Sequence, residues 1–330
     1  MKQIFNLSRA FLALIIVAAI LLVSDLNNRN PEKNEIQKFC LIHYIDSPNS
    51  EDCEHGLRKG LEDIGLVENK DFTFQVYNAQ GDISTLNSIA ETVNSSTWDL
   101  IFTSSTPTIQ VISNKIKNTH IVFTNVGDPV AAGLGKTFQD HMPNITGIST
   151  MSDFKGLVDI VAEIQPGIKT VGTVYTPAEV NSVAYMQHLK EAAAEIGIEL
   201  VTMAANTATE VGESAIALAS RNIEAFTQIS DNLTASCSAA IIKASKDSGI
   251  PYYGFITSQL GHGAVAVAAR DYFQAGYDAA MKAKKVLAGE KPINIPYDFV
   301  QKTSYQINEK AVEFYKLSVS QELKNRLKLK

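Results

Sequence analysis

The sequence predicts an α/β protein of two lobes, each built on a doubly wound and mostly parallel sheet, with a cleft between them. From residue 38 onward, short apolar runs alternate with helix-like segments, as is typical of parallel strands joined by crossover helices. The same alternation begins again after residues 144–150. The 330 residues leave room for about two domains, each with its own core.

The first half of the chain predicts four strands separated by three helices. Ile121, Val122 and Phe123 are three apolar residues in a row, which favours a strand covered on both faces. Asp82 is a suitable residue to open the second helix, and Pro107 suits the first turn of the third. The predicted elements are strand 38–45, helix 50–66, strand 71–79, helix 82–95, strand 98–105, helix 106–118 and strand 121–126.

The second half repeats this pattern and then adds a tail. The repeated part is helix 152–165, strand 169–176, helix 178–198, strand 198–205, helix 213–222, strand 223–230, helix 233–249 and strand 250–255. The tail is strand 263–270, helix 272–287 and one or two strands within 295–308, after a break at Gly289–Pro292. Two complete α/β units followed by further elements predict two lobes joined by several crossings.

Composition limits the classes of function. Apolar residues make up 45% of the chain and charged residues 19%, which is ordinary for a folded globular protein. A formal charge of −6 and a pI near 5.6 give no broad basic face. A nucleic-acid partner is therefore disfavoured.

Residues 1–26 read as a signal peptide or signal anchor. Lys2 and Arg9 precede thirteen apolar residues, Phe11–Val23. Thirteen helical residues span only about 20 Å against a hydrocarbon core of about 30 Å, and a good A-x-A-like cleavage site is missing. Cleavage and retention both stay open. In either case residues 27–37 form a polar tether, and the rest is exported to the periplasm or the outer face of the cytoplasmic membrane, with membrane contact through the N-terminal segment.

Motifs for metal sites and catalysis are weak or absent in the sequence. Cys40, Cys53 and Cys237 are too scattered for a metal cluster and favour packing thiols, although a Cys40–Cys53 bridge stays open. A phosphate loop ending at Lys136 and Thr137 would need glycine where Val130 stands. No G-x-S-x-G or H-E-x-x-H motif occurs. We expect no catalytic residues, no metal and no cofactor.

Seven motifs occur in order between about Phe39 and Leu317. They are YNAQGD (77–82), STPTIQ (105–110), IVFTNVGDPVAAGL (121–134), NITGIS (144–149), KTVGTVY with EVNSV (169–175 and 179–183), SDN (230–232) and ARDYFQAGYDAAMKAKKVLAGEKP (269–292). Taken together they resemble one family, the substrate-binding proteins of ABC importers of the tryptophan/tyrosine-type group, which have the type I periplasmic-binding-protein fold.

The resemblance implies lobe boundaries. It places residues 38–148 plus 263–290 in the N-terminal lobe and 149–258 plus 293–317 in the C-terminal lobe, followed by a tail, 318–330. The sequence departs from the family pattern at two positions near the expected cleft. Gly127 stands where the family commonly has Thr, and Arg270 stands where a less charged residue is common. Arg270 is therefore a candidate ligand donor.

Polar residues follow two strands of the first lobe, where a ligand would lie in an open α/β sheet. Ser105 and Thr106 begin a helix whose free N–H groups favour an anion, although capping alone is the alternative role. Thr124, Asn125 and Asp128 follow the next strand, and a tight turn is their alternative.

The second lobe supplies further candidates. Asp231 and Asn232 follow a strand, and Asp231 could accept from a ligand ammonium, with a helix N-cap as the alternative. Asn181 is preferred by resemblance over Glu179, which is expected to interact mainly with the helix dipole. Tyr44 and Phe255, at strand ends in opposite lobes, could clamp a planar ligand or pack in the core.

These observations predict an exported, non-catalytic binding protein that captures a small amino-acid-like ligand and delivers it to an ABC permease. An aromatic amino acid is one candidate ligand. The alternative is a membrane-tethered lobe that presents its ligand state to a signalling partner.

Overall fold

The computed structural model describes residues 36–329 and, from the N-terminal stretch, residues 15, 17 and 18, which are helical. The predicted signal or anchor segment and most of the tether otherwise lie outside the described residues. Among the residues that are described, no helix is both long and apolar enough to span a membrane.

The elements up to residue 126 have the order predicted from the sequence, and a further strand follows them. Together they are β1 (Gln37–His43), α1 (Pro48–Asp63), β2 (Phe72–Asn78), α2 (Ile83–Asn94), β3 (Leu100–Ser104), α3 (Thr106–Lys115), β4 (Ile121–Val126) and the further strand β5 (Ile145–Ser149). Local chemistry explains where the helices start. The Ser47 and Ser50 side chains cap α1 reciprocally, and the Asp82 carboxylate accepts from the Thr85 N–H at the start of α2.

The remaining elements follow from residue 154. They are α4 (Phe154–Ile164), β6 (Thr170–Tyr175), α5 (Val180–Glu195), β7 (Glu199–Ala204), α6 (Ala208–Ala219), β8 (Ala225–Thr227), α7 (Asn232–Ser236), α8 (Ser238–Ser248), β9 (Tyr252–Gly254), α9 (Ser258–His262), β10 (Ala266–Arg270), α10 (Tyr272–Leu287), a 3-10 turn (Pro292–Asn294), β11 (Asp298–Phe299), β12 (Thr303–Ile307), α11 (Glu309–Phe314), α12 (Gln321–Arg326) and β13 (Lys328–Leu329).

The strands form two sheets, one in each lobe. The first has the order β11-β5-β4-β3-β1-β2 and the second the order β13-β12-β10-β9-β8-β6-β7. The pairing is mostly parallel, and β10 with β12 is antiparallel. The inner strands of both sheets are buried on both faces. On β1, Phe39 and Leu41 belong to one core cluster and Cys40 and Ile42 to another, and on β10 Ala266 and Ala268 belong to one cluster and Val267 and Ala269 to another. The predicted fold class is confirmed.

Helix α10 follows a second-sheet strand but packs in the first lobe against α1. Glycines allow this close approach, because a Cβ on Gly56 would lie 1.8 Å from the Phe273 carbonyl oxygen. A Cβ on Gly276 would lie 1.9 Å from the Cys53 carbonyl oxygen. The three cysteines are free, and both Cys40 and Cys53 are buried, as expected of packing thiols.

Sheet membership differs from the predicted lobe boundaries in two places. Residues 263–290 were assigned to the N-terminal lobe, yet β10 lies in the second sheet, between β9 and β12. Residues 293–317 were assigned to the C-terminal lobe, yet β11 pairs with β5 in the first sheet. The predicted tail also differs, since β13 pairs with β12. An apolar run buried on both faces fits either sheet, so its local pattern does not encode the choice.

Three crossings join the lobes. The first runs from β5 to α4, the second from β10 to α10, and the third from β11 to β12. The second and third are very short, with only residue 271 and residues 300–302 outside the flanking elements. The carboxyl ends of both sheets therefore meet at one cleft.

Candidate functional site

A cavity of about 220 Å³ lies between the lobes, at the carboxyl ends of the strands. Both lobes contribute to it, as expected for a ligand crevice in an open α/β sheet. The first lobe contributes Tyr44, Ile45, Gly81, Ile83 and Pro107, and the second contributes Thr176, Ala178, Glu179, Asn206 and Leu233.

The start of α3, beside this cavity, has strained backbone and unsatisfied polar groups. Ser105 has φ 98° and ψ 155°, a region that essentially only glycine occupies. Its hydroxyl pairs with that of Thr108 at 3.0 Å and does not cap the helix. The Ser104 and Thr106 hydroxyls are buried without a hydrogen-bond partner. The N–H groups and dipole of α3 are thus left free to receive an anion.

The polar groups at the end of β4 and in the turn after it bond mainly to other protein groups. The Thr124 hydroxyl donates to the Cys53 sulfur at 3.3 Å, and Asn125 adopts a left-handed φ of 55°. The Asp128 carboxylate accepts from the Val130 and Ala131 N–H groups, each at 2.9 Å, which closes a turn. Ligand contacts by Thr124, Asn125 and Asp128 remain predictions.

Asp231 is fully buried and caps helix α7. One carboxylate oxygen accepts from the Thr234 N–H at 2.7 Å and from the Thr234 hydroxyl at 2.6 Å, and the other accepts from the Ser182 hydroxyl. Burial, followed by the charge of Glu179, raises the pKa of the Asp231 carboxyl to about 7. The N-cap role considered in the sequence analysis is present, and contact with a ligand remains a prediction.

Glu179 interacts with a different helix from the one expected. It does not cap its own helix, α5, but reaches the start of α7, where it accepts from the N–H groups of Asn232 and Leu233 at 3.0 Å each. The Asn232 side-chain amide also donates to it, and that of Asn181 does so at 3.2 Å. Glu179 is only 5% exposed and lines the cavity.

Glu179 and Asp231 form a pair of buried carboxylates. Within the part of the chain that the structure describes, no lysine, arginine or histidine forms an ion pair with either of them. Buried charge without a counter-charge is costly, so such a pair favours a proton or a cationic group from outside the protein.

Other buried polar atoms of the second lobe also lack partners. They include the Thr176 hydroxyl and the Asn181 amide oxygen. Thr176 directly follows β6 and Asn181 lies in the first turn of α5, and the Ser230 hydroxyl pairs with the Tyr272 phenol of α10. Native proteins satisfy most buried polar groups, so these atoms are available to water or to a ligand in the cleft.

The remaining predicted residues lie as follows. Tyr44 lines the cavity, its phenol donates to the Gly81 carbonyl at 2.7 Å, and burial, then the charge of Glu179, raises its pKa. Phe255 packs in the second-lobe core, 5.1 Å from Phe154, which is the packing role considered for it. Arg270 binds protein groups in the interlobe crossings.

A contact between Gly127 and Tyr185 joins the lobes and was not predicted. Tyr185 lies in the second-lobe core, with its ring 5.6 Å from Phe154. Its hydroxyl approaches Gly127 so closely that a Cβ there would lie 1.7 Å from the phenol oxygen. No local signal could have revealed it, because 58 positions separate the two residues.

Comparison with known proteins places the chain in a family. A family model described as ABC transporter substrate binding protein matches residues 38–327. The chain belongs to this family. The match confirms the resemblance drawn from the motifs, and substrate-binding proteins of this family are associated with ABC transporters and lie outside the cytoplasm.

Three known proteins are similar to this substrate-binding protein. A tyrosine-binding protein of Clostridioides difficile (strain R20291) is 30% identical over 294 residues, covering 88% of this chain and 85% of that protein. A conserved domain protein from Vibrio cholerae O1 biovar El Tor is 30% identical, with a TM-score of 0.86 over 89% of this chain and 99% of that one. An ABC domain from Streptococcus pneumoniae in complex with L-Trp is 21% identical, with a TM-score of 0.85 over the same shares, and supports the fold alone.

Proposed function

We propose that this substrate-binding protein captures a small amino acid in its cleft and delivers it to an ABC importer. Tyrosine and tryptophan are the first candidates, since one relative is named for tyrosine and a structural neighbour holds L-Trp. The protein itself is non-catalytic and releases its ligand unchanged.

This proposal rests on one observation: the two sides of the cleft favour ligand groups of opposite charge. On the first-lobe side, α3 begins without a side-chain cap and with buried hydroxyls unpaired, an arrangement that favours a carboxylate. On the second-lobe side, Glu179 and Asp231 are buried without a cation among the described residues, an arrangement that favours an ammonium. The zwitterionic end of an amino acid carries both groups.

Glu179 is the better ammonium partner of the two. Asp231 is fully buried and caps α7, whereas Glu179 lines the cavity and one of its oxygens accepts only from the Leu233 N–H. Glu179 also lies close enough to Tyr44, in the opposite lobe, to raise the pKa of that phenol, after burial. A ligand held by Glu179 would therefore contact both lobes and favour their closure.

Calorimetric titration of the full chain with L-tyrosine and L-tryptophan tests the proposal. Glu179→Gln keeps the shape of the side chain but removes its charge, and it should weaken binding at least about 30-fold, because breaking a buried charged pair costs about 2–5 kcal/mol. Glu224→Gln is the matched control, since Glu224 also accepts two backbone N–H groups, at 2.6 and 2.9 Å, but is exposed. It should bind within twofold of the parent.

Two outcomes would contradict the proposal: binding of neither amino acid by the parent, or Glu179→Gln affinity within threefold of the parent. Mass analysis of the recovered amino acid should show no chemical change.

Export is part of the proposal, with residues 1–26 as signal or anchor. A high-salt membrane wash tests the anchor, since a cleaved protein would be released without its first residues.

A further inference from the structure

Arg270 lies where the three interlobe crossings enter the second lobe. It is the last residue of β10, so the second crossing begins at its carbonyl. Its Nε donates to the Met151 carbonyl at 2.6 Å, and Met151 belongs to the first crossing. Its Nη1 donates to the Thr303 hydroxyl, where the third crossing ends. One guanidinium therefore bonds to both of the other crossings.

Among the described residues, backbone hydrogen bonds link the crossings in pairs, and β10 and β12 are paired in the second sheet at Arg270 and Thr303. The Val300 N–H donates to the Ser149 carbonyl at 2.9 Å, which joins the third crossing to the end of β5 in the first lobe. The Asp271 N–H donates to the Lys302 carbonyl at 3.2 Å, which joins the second crossing to the third. Neither bond ties Met151 to the second crossing, and the Arg270 side chain does.

Polar residues in and beside the crossings surround this guanidinium. Lys302 forms a 3.0 Å ion pair with Asp271, and the Tyr305 phenol donates to Asp153 at the start of α4. Arg270 lies near Tyr305, where its charge opposes the rise in the phenol pKa that burial and Asp153 cause. Arg270 and Thr303 are paired in the second sheet, so the Arg270 side chain ties the Met151 segment of the first crossing to the β10–β12 pair from which the other two crossings leave.

We propose that Arg270 is a positioning residue that holds the three crossings in one arrangement and so sets the angle between the lobes. The planar guanidinium has donors in fixed directions, so it can bind Met151 and Thr303 together only when the crossings lie as they do here. Opening the lobes twists the first crossing relative to β10 and stretches the bond to Met151, while the bond to Thr303, the sheet partner of Arg270, keeps the guanidinium aimed at Met151. Arg270 thereby favours the arrangement in which the cavity residues of both lobes face each other.

Interlobe distances in the full chain test the inference without any ligand. Spin labels at Ser88→Cys, on α2, and Glu213→Cys, on α6, report the separation, with Cys237→Ser removing the partly exposed native thiol. Arg270→Met should broaden the distance distribution and shift it to longer values. Thr303→Val removes one acceptor and should act in the same direction, and Arg270→Lys should fall between parent and Arg270→Met.

Lys302→Met is the matched control. It removes a cation from the same region, but its ion pair joins two crossings that the backbone already joins, so the distribution should stay as in the parent. A binding readout then separates positioning from direct contact. Arg270→Met should weaken L-tyrosine and L-tyrosinamide binding by the same factor, at least threefold, because the binding-competent fraction falls.

Unchanged distances in both Arg270→Met and Thr303→Val would overturn the inference. A selective loss of L-tyrosine binding relative to L-tyrosinamide, with unchanged distances, would also overturn it and would make Arg270 a carboxylate contact. If Arg270→Met does not fold, Thr303→Val decides. The inference rests on the two-lobe fold, so failure of both amino acids to bind the parent would contradict the proposed ligand while the distance measurement still stands.

Discussion

Gly127→Ala should hold the lobes apart. The added Cβ would lie 1.7 Å from the Tyr185 phenol oxygen and 2.3 Å from Cζ, well inside the 3.0 Å below which real Cβ contacts are essentially never found. Gly127 is not among the positive-φ glycines, so alanine is compatible with its backbone and the effect is steric. The two groups must therefore move apart.

Neither side of this contact can yield easily within its own lobe. The Gly127 carbonyl accepts from the Ser149 hydroxyl next to the first crossing, and Tyr185 is 3% exposed in the second-lobe core. Rotation of one lobe away from the other relieves the clash with the least local damage. Overpacking typically costs about 1–3 kcal/mol, so closure, and with it L-tyrosine affinity, should fall about 5- to 150-fold.

Calorimetry and solution scattering measure this effect together. The variant should have weaker L-tyrosine binding and a larger radius of gyration at saturating ligand than the parent, with nearly parental thermal stability when ligand-free. Gly261→Ala is the control, because a Cβ there meets nothing within 4 Å. Parental affinity and radius in Gly127→Ala would refute the reasoning, since the clash would then be absorbed without opening.

Two further predictions concern the cleft. Asp231→Asn should become more stable relative to the parent as pH rises from about 5 to 7, by about 1–2 kcal/mol in the free energy of unfolding measured in urea. Because the pKa of Asp231 is raised to about 7, the folded parent binds a proton that the unfolded chain has released, so the stability of the parent falls across that window. A stability difference that does not change with pH would contradict this. Ser105→Gly should raise the free energy of unfolding by about 1 kcal/mol. The substitution relieves backbone strain of about 1–3 kcal/mol, while glycine costs about 0.5–1 kcal/mol in chain entropy. A lower melting temperature than that of the parent would contradict this.

The fold could be predicted from the sequence because its signals are local. Apolar runs such as Ile121–Phe123 mark buried strands, and Asp82 caps the helix it was expected to open. Which sheet a strand joins is not a local property. The run at β10 is fully buried apart from its last residue, Arg270, and it would fit any gap between two apolar strands, so its sheet was predicted wrongly.

The site was predictable only in outline. Parallel strands bring their carboxyl ends to one edge, which is why Ser105, Thr124 and Asp231 were predicted to lie at the cleft. The position of Glu179 depends on the start of α7, 53 residues further along the chain, and that of Arg270 on Met151, 119 residues away. Side-chain contacts over such separations leave no periodic pattern in the sequence.

Several unfavourable features of this protein lie at or beside the cleft, and their proximity argues for a shared function. Ser105 occupies a glycine-like backbone region, hydroxyls at the start of α3 are unpaired, and Glu179 and Asp231 share a buried site without a cation among the described residues. Selection for stability alone would remove each of them. If they serve binding, relieving any one should raise stability and weaken the ligand complex together. A substitution here that improves stability and leaves affinity unchanged would identify that feature as mere imperfect packing.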